Sequence, residues 1–395
     1  MKTIRLSPND AARVEDGYPL VLREWFGGRD SGCRPGDLAT VADPRGQFLG
    51  MALAEADDRI AFRIYSRKEG DRLEQPFFTA ALVRARALRR TFLDTTRTDA
   101  YRLANEEADG LPGIGIDLYG PYIALSNYSA GMTKHLPALC DALRTLFEPA
   151  GLFLTDRSSG PQASRRQDAL GRRLWGERPG SDFTVKEERV RFSVDLEGGY
   201  NTGLFLDNRE NRLALRSHVS GRRVLNLFCY TGSISVHCAL AGAKEVVSVD
   251  VAKGTLDWAR KNYQLNGLDP DDHPLVQADA LEYLRKGSQR GAQYDVIVLD
   301  PPSFSTSKRN VFSAAADYPR LVSMAIEVLA PGGLLAACSN YRKFPPDRFL
   351  AEVTRAARRQ GRLLRLLDFR GAGPDFPVDP TYPELAYLKF ALLAA

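Results

Sequence analysis

Three aspartates close short apolar runs in the second half of this 395-residue chain: Asp250 after "EVVSV", Asp279 after "LVQA" and Asp300 after "YDVIVL". A carboxylate just beyond a buried strand accepts hydrogen bonds, either from ribose hydroxyls of a ligand or from amides of the helix that follows. Both roles stay open for Asp250 and Asp279. Asp300 begins "DPPSF", running through Pro301 and Pro302 to Phe304. Two successive prolines remove two backbone donors and stiffen the chain. Asp300 and its neighbouring carbonyls are thereby presented at one place, with Phe304 as a face for stacking on a planar base.

The loop after the first apolar run of this half, "NLFCYTGS", holds Asn226, Phe228, Tyr230, Thr231 and Gly232. A turn at Thr231-Gly232 brings backbone close to a ligand, and a helix N-terminus follows with free N–H groups. A dinucleotide loop would carry GxGxxG to admit a pyrophosphate, whereas this loop has one glycine among bulky side chains. That argues against a nicotinamide oxidoreductase. A loop of little phosphate-binding character, with an acid after the second strand, suits a nucleoside without phosphates, and S-adenosylmethionine is the cofactor expected.

"GGLLAACSNYRKF", residues 332–344, adds Cys338 near the end of a fifth apolar run. Methylation at the 5-carbon of cytosine needs a thiolate to add to the neighbouring ring carbon, while the 7-nitrogen of guanine carries its own lone pair and needs mainly positioning. Side chains alternate along a strand, so Cys338 and Asn340 share a face, with Cys338 about 7 Å further from the cleft. Among Leu334 and Ala336, Cys338 is expected to be a small buried hydrophobe with a high thiol pKa.

Positioning these residues requires a parallel sheet. "RRVLNLF", "EVVSVDV", "HPLVQAD", "YDVIVLD" and "GGLLAAC" are apolar runs separated by helical stretches, the pattern of a doubly wound α/β domain over residues 186–395. Residues 1–72 show short alternating runs between turns such as "PGD" and "DPRG", and predict a small β-rich, barrel-like module. Residues 73–185 mix the basic helical stretch "FFTAALVRARALRRTFL" with strand-like pieces and read as a small α+β domain, closed by a polar loop over 158–180. With 44% hydrophobic and 26% charged residues the chain is an ordinary globular one, long enough for two or three domains. The five cysteines and four histidines lack CxxC or HxxxH spacing, so neither a metal site nor a disulfide framework is expected. No secretory h-region or membrane-spanning run occurs, and a cytoplasmic protein is expected. A net charge of +5 leans toward a polyanion. Arg84, Arg86, Arg89 and Arg90, with the Arg165-Arg166 and Arg172-Arg173 pairs, are the expected phosphate contacts, a solvated helix face and loop being the alternative.

With these motifs the chain resembles the bacterial large-subunit rRNA methyltransferases built from an N-terminal PUA domain, a central domain and a C-terminal class I S-adenosylmethionine domain. "NEEADGLPGIGIDLYG" (105–120), "TGLFLDNRENR" (202–212) and "DPTYPELAYLKF" (379–390) are similar to that family's signatures. The His-Pro-Trp usual in the PUA part stands here as Tyr18-Pro19-Leu20. The resemblance implies that Phe205, Asp207 and Arg209 line the cofactor cleft, and that the partner is 23S rRNA or a large-subunit assembly intermediate. Membranes and metals are not among the expected partners; a homodimer is left open. Family members making 5-methylcytosine carry Ser-Cys-Ser at the end of the fifth strand, and that cysteine falls on Asn340. "DPPSFSTSKR" resembles the corresponding segment of a guanine-7 enzyme. The expectation is guanine 7-methylation, with Asp300, Pro301, Pro302, Phe304 and Asn340 about the target base. The alternatives are a cytosine enzyme with Cys338 as nucleophile, and a non-catalytic RNA-binding assembly factor.

Overall fold

The computed structural model describes residues 1–27, 31–158, 171–198, 201–306 and 311–395. The chain divides into two compact units, and the division is discontinuous. One unit comprises Met1–Val185, Asp195–Thr202 and Pro374–Leu385; the other comprises Lys186–Val194, Gly203–Gly373 and Ala386–Ala395.

In the first unit, strands β1 (Lys2–Arg5), β2 (Leu20–Leu22), β3 (Leu38–Ala42), β4 (Phe48–Ala54) and β5 (Ile60–Ser66) form a sheet of order β1-β3-β4-β5-β2. The helix Pro8–Glu15 begins where Ser7 Oγ accepts the Asp10 amide, and packs Ala11 and Val14 onto this sheet's core. A second sheet orders β6 (Ala100–Asn105), β7 (Ile114–Tyr119), β8 (Tyr122–Asn127), β9 (Gly151–Asp156) and β10 (Arg172–Gly176) as β10-β9-β8-β7-β6. Here the structure departs from expectation: within the stretch read as a loop, Arg172–Gly176 pairs antiparallel with β9. Arg165 and Arg166 lie outside the described residues.

The basic helix Gln75–Arg89 buries Phe78, Ala81, Leu82 and Ala85, a spacing of three and four that faces one side inward. Arg84 and Arg90 are exposed on the other side. Arg89 is not a surface cation. Only 1% exposed, it forms a fork with the two Asp109 oxygens at 2.6 and 2.7 Å and also donates to the carbonyls of Arg102 and Asp375. Buried in that network, it has no donor left for an RNA phosphate.

The second unit follows the short two-stranded pairing of β11 (Thr184–Glu187) and β12 (Val190–Ser193). Its sheet contains β13 (Arg223–Leu227), β14 (Glu245–Asp250), β15 (Leu275–Gln277), β16 (Tyr294–Leu299), β19 (Leu329–Ser339), β20 (Arg365–Arg370) and β21 (Lys389–Ala394), in the order β15-β14-β13-β16-β19-β21-β20. The five strands read from sequence are mutually parallel. The expected all-parallel sheet is corrected by β21 and β20, which add antiparallel pairings at one side. Strand order reverses at β13, which lies between β14 and β16, so the ligand crevice of a doubly wound sheet opens at its end. Leu225, Leu227, Val249, Ile297, Leu299, Leu335 and Ala337 pack into one core beneath the sheet. Alternation turns Asn226, Val298, Ala336 and Cys338 to the opposite face. A small pair, β17 (Phe304–Thr306) and β18 (Val311–Ser313), follows the end of β16.

Candidate active site

The loop from β13 into the helix Ser233–Leu240 adopts left-handed backbone at three alternate positions, Phe228 (φ 59°), Tyr230 (φ 51°) and Gly232 (φ 74°). Two of these are not glycine, and such residues persist only where their surroundings over-determine them. The restraints are visible. The Cys229 amide donates to the Val249 carbonyl (3.0 Å), the Tyr230 amide to Asp250 Oδ2 (3.0 Å), and Thr231 Oγ1 to the Gly203 carbonyl (2.6 Å). From behind, Asn262 Nδ2 donates to the Thr231 carbonyl (2.9 Å). Gly203, at φ +95°, lies against the Trp258 ring so closely that a Cβ would come within 2.2 Å of it.

Asp250, at the end of β14, takes one backbone amide on each oxygen: Tyr230 on Oδ2 and Ala252 on Oδ1 (both 3.0 Å). Each carboxylate oxygen has two lone pairs, so acceptor capacity remains for a diol. Phe205, 41% exposed, stands 5.3 Å from the Tyr230 ring, making an aromatic wall beside this acid. Asp279 caps the helix Ala280–Gln289 through the Glu282 amide (3.0 Å). Two expected cofactor residues lie behind the cleft rather than in it. Asn226 is buried and donates to Ser235 Oγ (2.8 Å), which also takes a bond from Ser248 Oγ (2.7 Å). Arg209 is 1% exposed and bonds Glu210 (3.1 Å).

Asp300 ends β16 on the face that carries Asn226 and Cys338. Its Oδ2 accepts from Asn208 Nδ2 (3.1 Å), and Asn208 is itself held by Asn211 Nδ2 on its Oδ1 (2.7 Å). Asp207 receives the Tyr387 hydroxyl on Oδ2 (2.6 Å). Burial first, then the neighbouring Asp207 charge, push the Asp300 carboxyl up to about 7, against the opposing pull of Arg212. Arg212 is committed elsewhere, to a fully buried cluster in which its Nε donates to Glu187 Oε1 (2.7 Å) and His237 Nε2 shares that oxygen (3.0 Å). Burial alone would raise the Glu187 carboxyl, but Arg212 and His237 hold it down to about 2.

Cys338 is fully buried, and its carbonyl accepts the Tyr318 hydroxyl (2.7 Å). Because Leu299 and Ala337 are in register, Cys338 follows level with Asp300 on the adjacent strand. Burial, then Asp300 and Asp207, push its thiol well above the ordinary value. Asn340, two residues on, is exposed, and its Oδ1 accepts the Ser303 hydroxyl (2.7 Å), tying the end of β19 to the "DPPS" turn. Pro301 is buried and Pro302 exposed at that turn. Phe304 begins β17, but its side chain lies outside the described residues. Lys389 steadies the same edge, its ammonium capped by the carbonyls of Tyr341 and Tyr387 at 2.7 Å each.

The sequence reading missed Asn208, Asn211 and Tyr387, although all three stand inside quoted motifs, and missed the Glu187–Arg212–His237 cluster, whose members are scattered. The site combines acids at strand ends, an aromatic wall and a loop without phosphate-binding glycines. Such a rim repels a pyrophosphate and suits a nucleoside carrying positive charge. Among the described residues no group of three or more His, Cys, Asp or Glu is placed to hold a metal, and no helix is long and apolar enough to cross a membrane.

Comparison with known proteins agrees with this chemistry. Residues 133–391 match the family model of S-adenosylmethionine-dependent methyltransferases, and residues 4–67 that of a PUA-like domain. The chain is 33% identical over 375 residues to the ribosomal RNA large subunit methyltransferase I of Klebsiella pneumoniae (strain 342), covering 94% of this chain and 93% of that protein. The protein of the same name from Salmonella arizonae is 34% identical over 373 residues, covering 94% and 92%. Among solved structures, SMU.776, assigned as a methyltransferase and complexed with SAH, superposes with a TM-score of 0.91 at 25% identity over 100% of both chains.

Proposed function

Because the chain belongs to the S-adenosylmethionine-dependent methyltransferase family, we infer that it methylates a base of 23S ribosomal RNA, at the 7-nitrogen of guanine rather than the 5-carbon of cytosine. The rRNA substrate is taken from the relatives' names. The choice of atom is carried by one observation: the cleft-facing end of β19 offers Asn340, while Cys338 is fully buried beside Asp300. A cytosine enzyme needs a thiolate in contact with the base, and later removal of the 5-proton. Guanine attacks through a lone pair it already has, and no proton need leave for the new bond to form.

S-adenosylmethionine supplies an electrophilic methyl group on a sulfonium sulfur. Asp250 is assigned to the ribose hydroxyls, Phe205 and Tyr230 to the flat face of the nucleoside, and Asp279 to the same ligand through its second oxygen. The loop Phe228–Gly232 gives backbone approach. The ligand then crosses the end of β13 toward Asp300, and the target base enters between the "DPPS" turn and Asn340. Ser303 fixes the orientation of the Asn340 amide, whose nitrogen is left to face the base. The segments 1–72, 73–185 and 186–395 are assigned as RNA-binding, central and catalytic domains, working in the cytoplasm on rRNA or an assembly intermediate. Mass mapping of 23S rRNA from cells with and without the gene tests the reading. Loss of one 7-methylguanosine supports it; loss of a 5-methylcytosine gives the reaction to the cytosine alternative; an unchanged map leaves a non-catalytic assembly factor.

A further inference from the structure

The carboxyls of Asp207 and Asp300 meet at the cleft with no cation of the chain committed to them. Arg212, the nearest guanidinium acting on Asp300, is bonded to Glu187, and the Lys389 ammonium is occupied by two carbonyls. The other titratable groups that act on or are acted on by Asp300 are Tyr318, from the helix Ala314–Glu327, and Cys338, from β19; both are driven toward their neutral forms, by burial first. Tyr387 donates to Asp207, which favours the ionised form of that acid. Asn208, oriented by Asn211, occupies Asp300 Oδ2 and leaves Oδ1 as the oxygen to carry a proton.

We propose that Asp300 is a charge sensor of the cofactor site: it holds a proton on Oδ1 in the free protein and releases it to solvent when the sulfonium of S-adenosylmethionine arrives, whereas the neutral sulfur of S-adenosylhomocysteine leaves the proton in place. The balance is simple. Protein carrying Asp300–COOH plus a cationic cofactor gives a complex with Asp300–COO⁻, plus one proton in solution; no bond of the cofactor changes. After methyl transfer the sulfur is neutral, Asp300 takes a proton back, and the attraction that favoured the substrate form over the product form is gone. The site thereby discriminates against its own product. Burial and the Asp207 charge place the free-protein midpoint at about 7, where this exchange is readily driven. The inference rests on the cofactor lying from Asp250 toward Asp300, and is independent of which base is methylated.

Calorimetric titration of the full-length protein with each ligand, in phosphate and in Tris, reads both affinity and proton release. S-adenosylmethionine is expected to bind about tenfold more weakly at pH 5.5 than at pH 7, with a proton released below pH 7. S-adenosylhomocysteine is expected to show neither effect. In Asp300→Asn the pH dependence and the proton release should both vanish. In Asp207→Asn, where the charge that retains the proton is gone, the midpoint should fall by one unit or more, a second measurement that stands if the first variant misfolds. Equal pH slopes for the two ligands, or a flat profile for S-adenosylmethionine, overturn the proposal. Asp250→Ala tests the placement separately: unchanged affinity for both ligands there refutes the placement, whereas weakened affinity with a flat wild-type pH profile refutes the sensor alone.

Discussion

Replacing Cys338 by alanine separates the two chemistries most directly. An unperturbed thiol, at 9.0, is about 3% thiolate at pH 7.5, and each further unit upward costs another factor of ten. Here burial, Asp300 and Asp207 all act upward, so the reactive form is scarcer still. A covalent enzyme usually does the reverse, lowering its thiol with a cation or a helix N-terminus. Reaching a base would also require the sulfur to leave a site that is 0% exposed. The substitution removes one buried sulfur without adding a polar group, so its stability cost is on the order of 1 kcal/mol. Thermal melting and cofactor calorimetry check that the variant is folded and competent. Single-turnover methylation of a 23S rRNA fragment should then proceed within about threefold of wild type, since a 1 Å-scale readjustment beside Asp300 is all that is disturbed. Complete loss of methyl transfer in a folded, cofactor-binding Cys338→Ala protein would refute the argument and make Cys338 the nucleophile of a cytosine enzyme.

Three further outcomes follow from particular contacts. Asp250→Ala strips the acceptor from two backbone amides and from the ribose, so cofactor affinity should fall by about 1–3 kcal/mol by calorimetry; an unchanged value dismisses the assignment. Neutralising Arg84, Arg86, Arg90, Arg172 and Arg173 together should flatten the fall of log affinity for rRNA with log salt, and an unaltered slope means these arginines are only surface. Arg89→Met should destabilise the protein by about 3–5 kcal/mol in denaturant melts, because Asp109 is left buried without its fork; a midpoint within error of wild type would show the pair to be dispensable.

The strand-end acids, the stiff turn after β16 and the absence of a phosphate loop were legible because each is local. A run of five or six apolar residues followed by Asp, Pro or Gly declares its own strand and its own end. The same locality explains the misses. Arg172–Gly176 reads as a polar loop because an edge strand buries little, and β9, its partner, supplies the pairing. Strands β20 and β21 were unread because β20 is largely exposed, without the continuous apolar run of a central strand.

The sequence by itself determined the chemistry on offer: a nucleoside-binding α/β sheet, a rigid Asp-Pro-Pro turn, and one cysteine set two residues back from the last strand's end. Only the tertiary structure decided how those groups behave. Arg84 and Arg89 look alike along one helix, yet one is exposed and the other is locked to Asp109, because helix rotation alone assigns their faces. Asp300 and Cys338 are 38 residues apart in sequence, and strand register sets them side by side. The pKa of each depends on that neighbour, on Asp207 from a third element and on water excluded by all of them. Burial and charge at a point are sums over space, and a linear chain does not contain them until its strands are paired.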